Sequence, residues 1–267
     1  MTIRNLFFGI FIALFCIQAG EGAQESPWQQ LKGKHFVVYY NFKQDEPAAR
    51  KILNASEDYY DKITRKIGYA RHTNSWTWEE RVRIIIFADQ AAFSRSTGQP
   101  AWSRGYADSD SYLFHSRLIA TFRQEEGFID GILPHEISHL VLRDFVGFEV
   151  KMPLWFEEGV AQFYESDKRS QAQEVMPRLV AKKMYIPFDV FMNWDIRKVK
   201  DQSLASLFYG QSVSVVDFLM KKYGSDSFGL LCRYLREGRT MAEALRGAYP
   251  RIRSVQDFEN DWVVYLK

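Results

Sequence analysis

Hydrophobic residues change rhythm along this chain. Residues 35–41, HFVVYYN, and 81–89, RVRIIIFAD, are β-branched and aromatic runs of strand length. Between them, residues 46–68 place Ile52, Tyr59, Ile63 and Ile67 near a helical period and close on Gly68, so a helix is predicted there. QAAFSRSTG, 90–98, predicts a short helix, and 104–122 predicts one or two strands with a turn at the Asp/Ser cluster. Beyond residue 125 the spacing turns helical, over 128–146, 154–166, 170–184, 204–223, 225–236 and 254–266. Strand-rich sequence followed by helix-rich sequence predicts an α+β fold. The expected architecture is an N-terminal lobe with a mixed β-sheet, a helical C-terminal lobe and a functional cleft between them.

Composition narrows the class. The chain has 267 residues, 46% of them hydrophobic, enough for a large core in one or two domains. No Pro/Gly/Ser-rich linker, charge block or repeat divides it. A net charge of +2 provides no basic field for nucleic acid, so no nucleic-acid partner is expected.

The first residues stand apart. MTIRNLFFGIFIALFCIQAGEGAQ carries Arg4, an apolar run of 12 residues from Leu6 to Ile17, and then small residues. This is the three-part pattern of a secretory signal, and the run is shorter than the roughly 20 residues that span a bilayer. The expectation is a signal over 1–23 and a mature domain over 24–267. The mature protein is then secreted or held in the periplasm or cell envelope, with no stable membrane insertion. Cys16 leaves with the signal, so Cys232 has no intramolecular partner and reads as a packing residue within FGLLCRYLREG. Asn54-Ala55-Ser56 fits a glycosylation acceptor but falls within a predicted helix.

Chemistry concentrates in ILPHEISHLVLRDF, residues 132–145. His135 and His139 are four apart, so on a helix they share a face and can aim ring nitrogens at one point about 2 Å away. Glu136 is offset by about 100° and cannot easily join them as a ligand; it can flank a metal and take a proton from water. Ile132, Leu133, Ile137, Leu140, Val141 and Leu142 make this a buried helix. Buried histidines without partners cost about 1–3 kcal/mol each, and one cation satisfies both.

A catalytic zinc takes three protein ligands and keeps a fourth position for solvent. MPLWFEEGVAQFYE, 152–165, offers Glu157 and Glu158 on a second helix that opens near Leu154, with Pro153 suited to its start. Glu165 follows Glu158 by seven residues and shares its face, so it can support a liganding histidine or stand as a surface carboxylate.

HEISH followed by PLWFEEGVAQFYE resembles the gluzincins, the zinc metallopeptidases that include thermolysin and the zinc aminopeptidases. The Trp-Phe-x-Glu-Gly-x-Ala pattern is most similar to peptidase MA-like domains of bacterial envelope proteins. The likeness is specific over 130–166 and looser over 204–220. It implies a thermolysin-like fold with the zinc cleft between the lobes, and one Zn2+ per chain held by His135, His139 and Glu158. Glu158, and not Glu157, is selected because it directly precedes Gly159. Glu136 is then the general base and a peptide or protein the substrate. In LFYGQSVSVVDFLMKKYG, 207–224, the resemblance matches Tyr209 to a tyrosine that steadies the oxyanion, a role that contributes about 3 kcal/mol; the alternative is a core tyrosine. Ser212, one turn on, is a weaker candidate for the same face.

WSRGYADSDSYLF, 102–114, reads as an edge strand on which extended substrate could be laid, with Gly105 allowing close approach; the alternative is an ordinary hairpin. His35, His72 and His115 have no motif around them. The Gly-x-Met-Glu-Asn strand of zinc aminopeptidases is absent, so internal cleavage is expected rather than trimming of the amino end. The sequence thus predicts a secreted zinc endopeptidase. The alternatives are a catalytically silent, zinc-stabilised envelope scaffold and an amidase of cell-wall peptide crosslinks.

Overall fold

The computed structural model describes residues 28–69, 81–100, 103, 105–108, 118–123 and 127–267. The signal pattern of 1–23 with Cys16, His72, His115 and most of the expected Asp/Ser turn lie outside the described residues. The described chain forms two units. One is made of residues within 1–54 and 75–128, the other of residues within 55–74 and 129–267.

The first unit is built on β1 (Gln29–Lys32), β2 (Phe36–Tyr40), β3 (Val82–Phe87), β4 (Tyr106–Asp108) and β5 (Leu118–Phe122), in the order β1-β2-β3-β5-β4. The middle three strands run parallel, with Val38 opposite Ile84 and Ile84 opposite Ile119. The outer two are antiparallel to their neighbours. Parallel strands need a crossover, and the long helix α1 (Glu46–Lys66) falls between β2 and β3 in the chain. The first half is therefore a mixed sheet with helical connections at the two places where helices were expected. β1, QQLK, was missed because it has no apolar run; it adds Leu31 opposite Val38. β4 does lie at an edge of the described sheet. Helix α2 (Gln90–Thr97) opens on Asp89, whose carboxylate accepts from the Ala92 amide at 2.7 Å, and closes on Gly98 at φ 71°. Its Phe93 packs on Phe87 and Ala120 of β3 and β5. Ser56 of the glycosylation pattern is buried within α1.

The second unit contains α3 (Leu133–Val146), α4 (Leu154–Phe163), α5 (Ser166–Ala181), α6 (Phe188–Phe191), α7 (Gln202–Arg236), α8 (Met241–Ala248) and α9 (Val255–Tyr265). A π-helical turn, Phe128–Ile132, leads into α3. α7 is broken at Gly224 (φ 82°, ψ 173°), where the two expected helices meet. α5 starts four residues before the expected 170, directly after α4, and carries Pro177 inside it. Two helices were not expected. α6 is a single turn, and α8 is opened by a capping box between Thr240 and Glu243.

An aromatic core holds the unit. Trp155 of α4 lies 5.7 Å from Phe191, and Phe188 lies 5.3 Å from Trp262 of α9. The Trp262 indole donates to Ser214 Oγ at 3.1 Å, which satisfies a buried donor. α4 presses on α7 at Gly159, where an added Cβ would stand 2.6 Å from the Ser212 carbonyl oxygen and 2.8 Å from Val216 Cγ2. Only glycine permits this approach. The neighbouring residue, Glu158, is positioned by it. Cys232 is fully buried with its thiol pKa pushed up by burial, as expected of a packing residue. No described helix is long and apolar enough to cross a membrane.

Candidate metal centre

α3 sinks Leu133, Ile137, Leu140 and Val141 into the core. The 3.6-residue repeat then leaves positions 135 and 139 together on a half-buried face. His135 Nε2 and His139 Nε2 approach to 3.1 Å. Each is 4.0 Å from a Glu158 carboxylate oxygen, brought in by α4. Among the described residues these three form the group able to hold a metal ion, and all belong to the second unit.

The hydrogen bonding of the rings bears on whether a cation fits. His135 Nδ1 lies 2.7 Å from Glu165 Oε1, on the residue that caps the start of α5. A carboxylate oxygen is an acceptor, so with this contact a neutral His135 carries its proton on Nδ1 and presents a lone pair from Nε2. That lone pair faces His139 Nε2 at 3.1 Å, which calls for either a proton on His139 or a cation between the rings. Two nitrogens each about 2.0–2.1 Å from a zinc at a tetrahedral angle would stand about 3.3 Å apart, close to the spacing here. The Glu158 spans of 4.0 Å are at the outer limit of that reach. The donor set therefore fits a divalent cation that accepts nitrogen and oxygen, with Glu158 the loosest of the three.

Electrostatics agree. Burial drives the His139 pKa down to about 3, with the charges of His135 and Arg143 adding to the effect, so this ring is neutral. Burial also acts against charge on His135, but the Glu165 hydrogen bond and the carboxylates of Glu136, Glu158 and Glu165 outweigh it and raise its pKa. Glu136 is raised by burial, with His135 opposing and Glu158 and Glu165 adding. Glu158 is raised by burial against the pull of His135 and Arg197. Three half-buried carboxylates around two imidazoles form a site that gains from a nearby positive charge.

Tyr209 lies on α7 near enough to Glu158 for that carboxylate, after burial, to raise the phenol pKa. Ser212 is fully buried and its hydroxyl donates to the Phe208 carbonyl at 2.7 Å, inside its own helix. Two arginines had no motif to reveal them. Arg143, one turn after His139, forms an ion pair with Glu157 of α4, and it also donates to the Val150 carbonyl at 2.8 Å. Arg197 is held by Asp195 through contacts of 2.7 and 3.0 Å, and its charge reaches Glu157, Glu158 and Tyr209. Glu157, not chosen as the ligand in the sequence, is thus engaged by Arg143.

A donor set of this kind, carried on two consecutive helices with a half-buried glutamate beside it, marks a metallopeptidase-like domain. The model of the Peptidase MA superfamily matches residues 78–267, and the chain belongs to that superfamily. A search of curated proteins finds no match to this chain.

Proposed function

We propose that this chain is an exported zinc endopeptidase of thermolysin-like arrangement, with residues 1–23 as its export signal. The observation that carries the reading is the convergence of His135 Nε2 and His139 Nε2 at 3.1 Å with the Glu158 carboxylate 4.0 Å from both. Membership of a peptidase superfamily supports a peptide or protein substrate. Internal cleavage is supported by the lack of a Gly-x-Met-Glu-Asn segment to read a free amino end.

His135, His139 and Glu158 would hold the ion. Zinc, when bound, supplies Lewis acidity towards water and a peptide carbonyl. Glu136 receives the proton that the attacking water gives up and delivers it to the departing amine. Its upward-shifted pKa brings it nearer to neutrality, where a group can both take and return a proton. Tyr209 donates its phenol hydrogen towards the oxygen on which negative charge develops. Glu165 keeps the His135 proton on Nδ1, so Nε2 stays free to bind.

Digestion of casein and of a mixed peptide library by the purified mature protein tests the reading. Cleavage should stop on chelation and return with zinc. Glu136→Gln should lose about 10²–10⁴-fold in kcat while keeping its metal. Tyr209→Phe should lose about 10²–10³-fold with the fold intact. Unchanged turnover in Glu136→Gln removes that residue from the mechanism. Zinc and peptide binding without any cleavage by the wild type would instead favour the scaffold reading.

A further inference from the structure

α5 and the first half of α7 run antiparallel, with a groove of about 860 Å³ between them. Asp217 of α7 accepts from Arg169 at 2.7 Å and from Gln173 at 3.2 Å, both in the first two turns of α5. Further along α5, Met176 Sδ stands 3.8 Å from where a Cβ on Gly210 would lie. The lining is mixed in polarity but ordered along its length. Lys168 and Gln171, one helical turn apart, mark the end where α5 begins. Asp201 marks the opposite end, where α7 begins. Between these ends lie Met176 and Leu179 of α5 and Leu207 of α7. The distance along α5 from Lys168 to Leu179 is about 16 Å.

The Lys168 end holds polar groups without partners. Gln162, near the end of α4, lines the groove and is only 9% exposed, yet its side-chain amide makes no hydrogen bond among the described residues. A buried amide left unpaired is costly, and a ligand that pairs it recovers that cost. The Lys168 ammonium forms no ion pair among the described residues either. The Asp201 end is satisfied, because its carboxylate accepts from the Ser203 and Leu204 amides at 2.9 and 3.2 Å. At the rim, Met184 is 57% exposed, a large apolar side chain with nothing over it. His135, Glu136, His139 and Glu158 do not line the groove; Tyr209 does, so an occupant would lie beside the metal centre and not within it.

We infer that this groove binds a free fatty acid of medium chain length, with the carboxylate at the Lys168 end and the hydrocarbon tail over Met176, Leu179 and Leu207 towards Met184. The Gln162 and Gln171 amides and the Lys168 ammonium all donate, which is the set a carboxylate accepts from. Asp201 repels the same head group at the other end, so the two ends fix the direction of the ligand. The tail gains from leaving water against the apolar middle of the groove. A polypeptide laid there would need partners for its amides, and a hydrocarbon chain needs none. The inference goes beyond the peptidase reading and does not depend on it.

Isothermal titration calorimetry of the purified mature protein with dodecanoate, kept below micelle formation, tests this. A single dodecanoate should bind per chain, and decanoate, two methylenes shorter, should bind about tenfold more weakly. Dodecanol, which has the tail without the carboxylate, should also bind about tenfold more weakly. Binding should persist after zinc is removed, which separates the groove from a carboxylate held by the metal. Lys168→Glu, at an exposed position, should weaken binding about tenfold or more. Gly210→Leu fills the groove, suits a helix interior, and should abolish binding. Circular dichroism and a thermal melt show that each variant is folded. The inference is overturned by an absence of saturable binding, by equal affinity for dodecanol, or by loss of binding on zinc removal. Unchanged affinity in Lys168→Glu or in a folded Gly210→Leu overturns it as well. Displacement of dodecanoate by a short peptide ending in a free leucine carboxylate would overturn it too, since the occupant would then be a polypeptide end.

Discussion

Arg143 and Glu157 join the two helices that carry the candidate ligands. The guanidinium lies four residues after His139 on α3, and the carboxylate lies one residue before Glu158 on α4. The same guanidinium donates to the Val150 carbonyl at 2.8 Å, in the connection between these helices. The pair ties the helix of His139 to the helix of Glu158, next to both candidate ligands.

Arg143→Ala should therefore weaken zinc binding by about 10–100-fold, the scale of lost outer support for ligands. Glu157→Ala should do the same. The exchanged pair, Arg143→Glu with Glu157→Arg, should recover part of the loss, because the link between the helices is restored. Competition with a chromophoric chelator reads each affinity. Wild-type affinity in a folded Arg143→Ala would show that the helix pair holds its register without this contact.

Glu165 governs the pH range of binding. His135 has a raised pKa and must be neutral to bind a metal, so protons compete with the ion as pH falls through that raised value. Apparent affinity should drop about tenfold per pH unit below it. His139, already neutral down to about pH 3, adds nothing to this limb. Glu165→Gln removes the leading contribution that raises His135, so the acid limb should move to lower pH. At neutral pH the variant should bind about 10–100-fold more weakly, since a neutral amide orients the ring less firmly. Affinity measured from pH 8 down to 5 checks both parts, and an unshifted limb would dissociate Glu165 from the site.

Gly159→Ala tests the contact that seats α4. A Cβ 2.6 Å from the Ser212 carbonyl oxygen has no room, and that oxygen is backbone. The helices must separate, at about 1–3 kcal/mol and several degrees of Tm. Zinc affinity should fall with it, because Glu158 moves as α4 moves. A thermal melt of the apo protein alongside the chelator titration reads both, and an unchanged Tm would mean that α4 and α7 are not this close.

Much of the site was legible in the sequence because its determinants are local. The interval between His135 and His139 needs only a helix, and the Glu158-Gly159 pair contains both a donor and the glycine that lets its helix seat. The Gly224 break was equally local. What escaped depends on tertiary neighbours. Arg143 and Arg197 are ordinary surface-type residues until a partner helix or turn comes near. Ser212 looked able to face the cleft, but its hydroxyl is bonded into its own helix. β1 is too polar and short to register as a strand, and its pairing with β2 decides it. The parallel order of β2, β3 and β5 is a property of the connections, which hydrophobic rhythm does not encode.

Metal analysis of the purified chain tests the central claim most directly. Wild type and Glu136→Gln should each carry one zinc per chain, while His135→Ala, His139→Ala and Glu158→Ala should carry almost none at the same chelator concentration. A folded Glu158→Ala that keeps a full zinc with unchanged affinity would contradict the account, because the third ligand would then lie elsewhere.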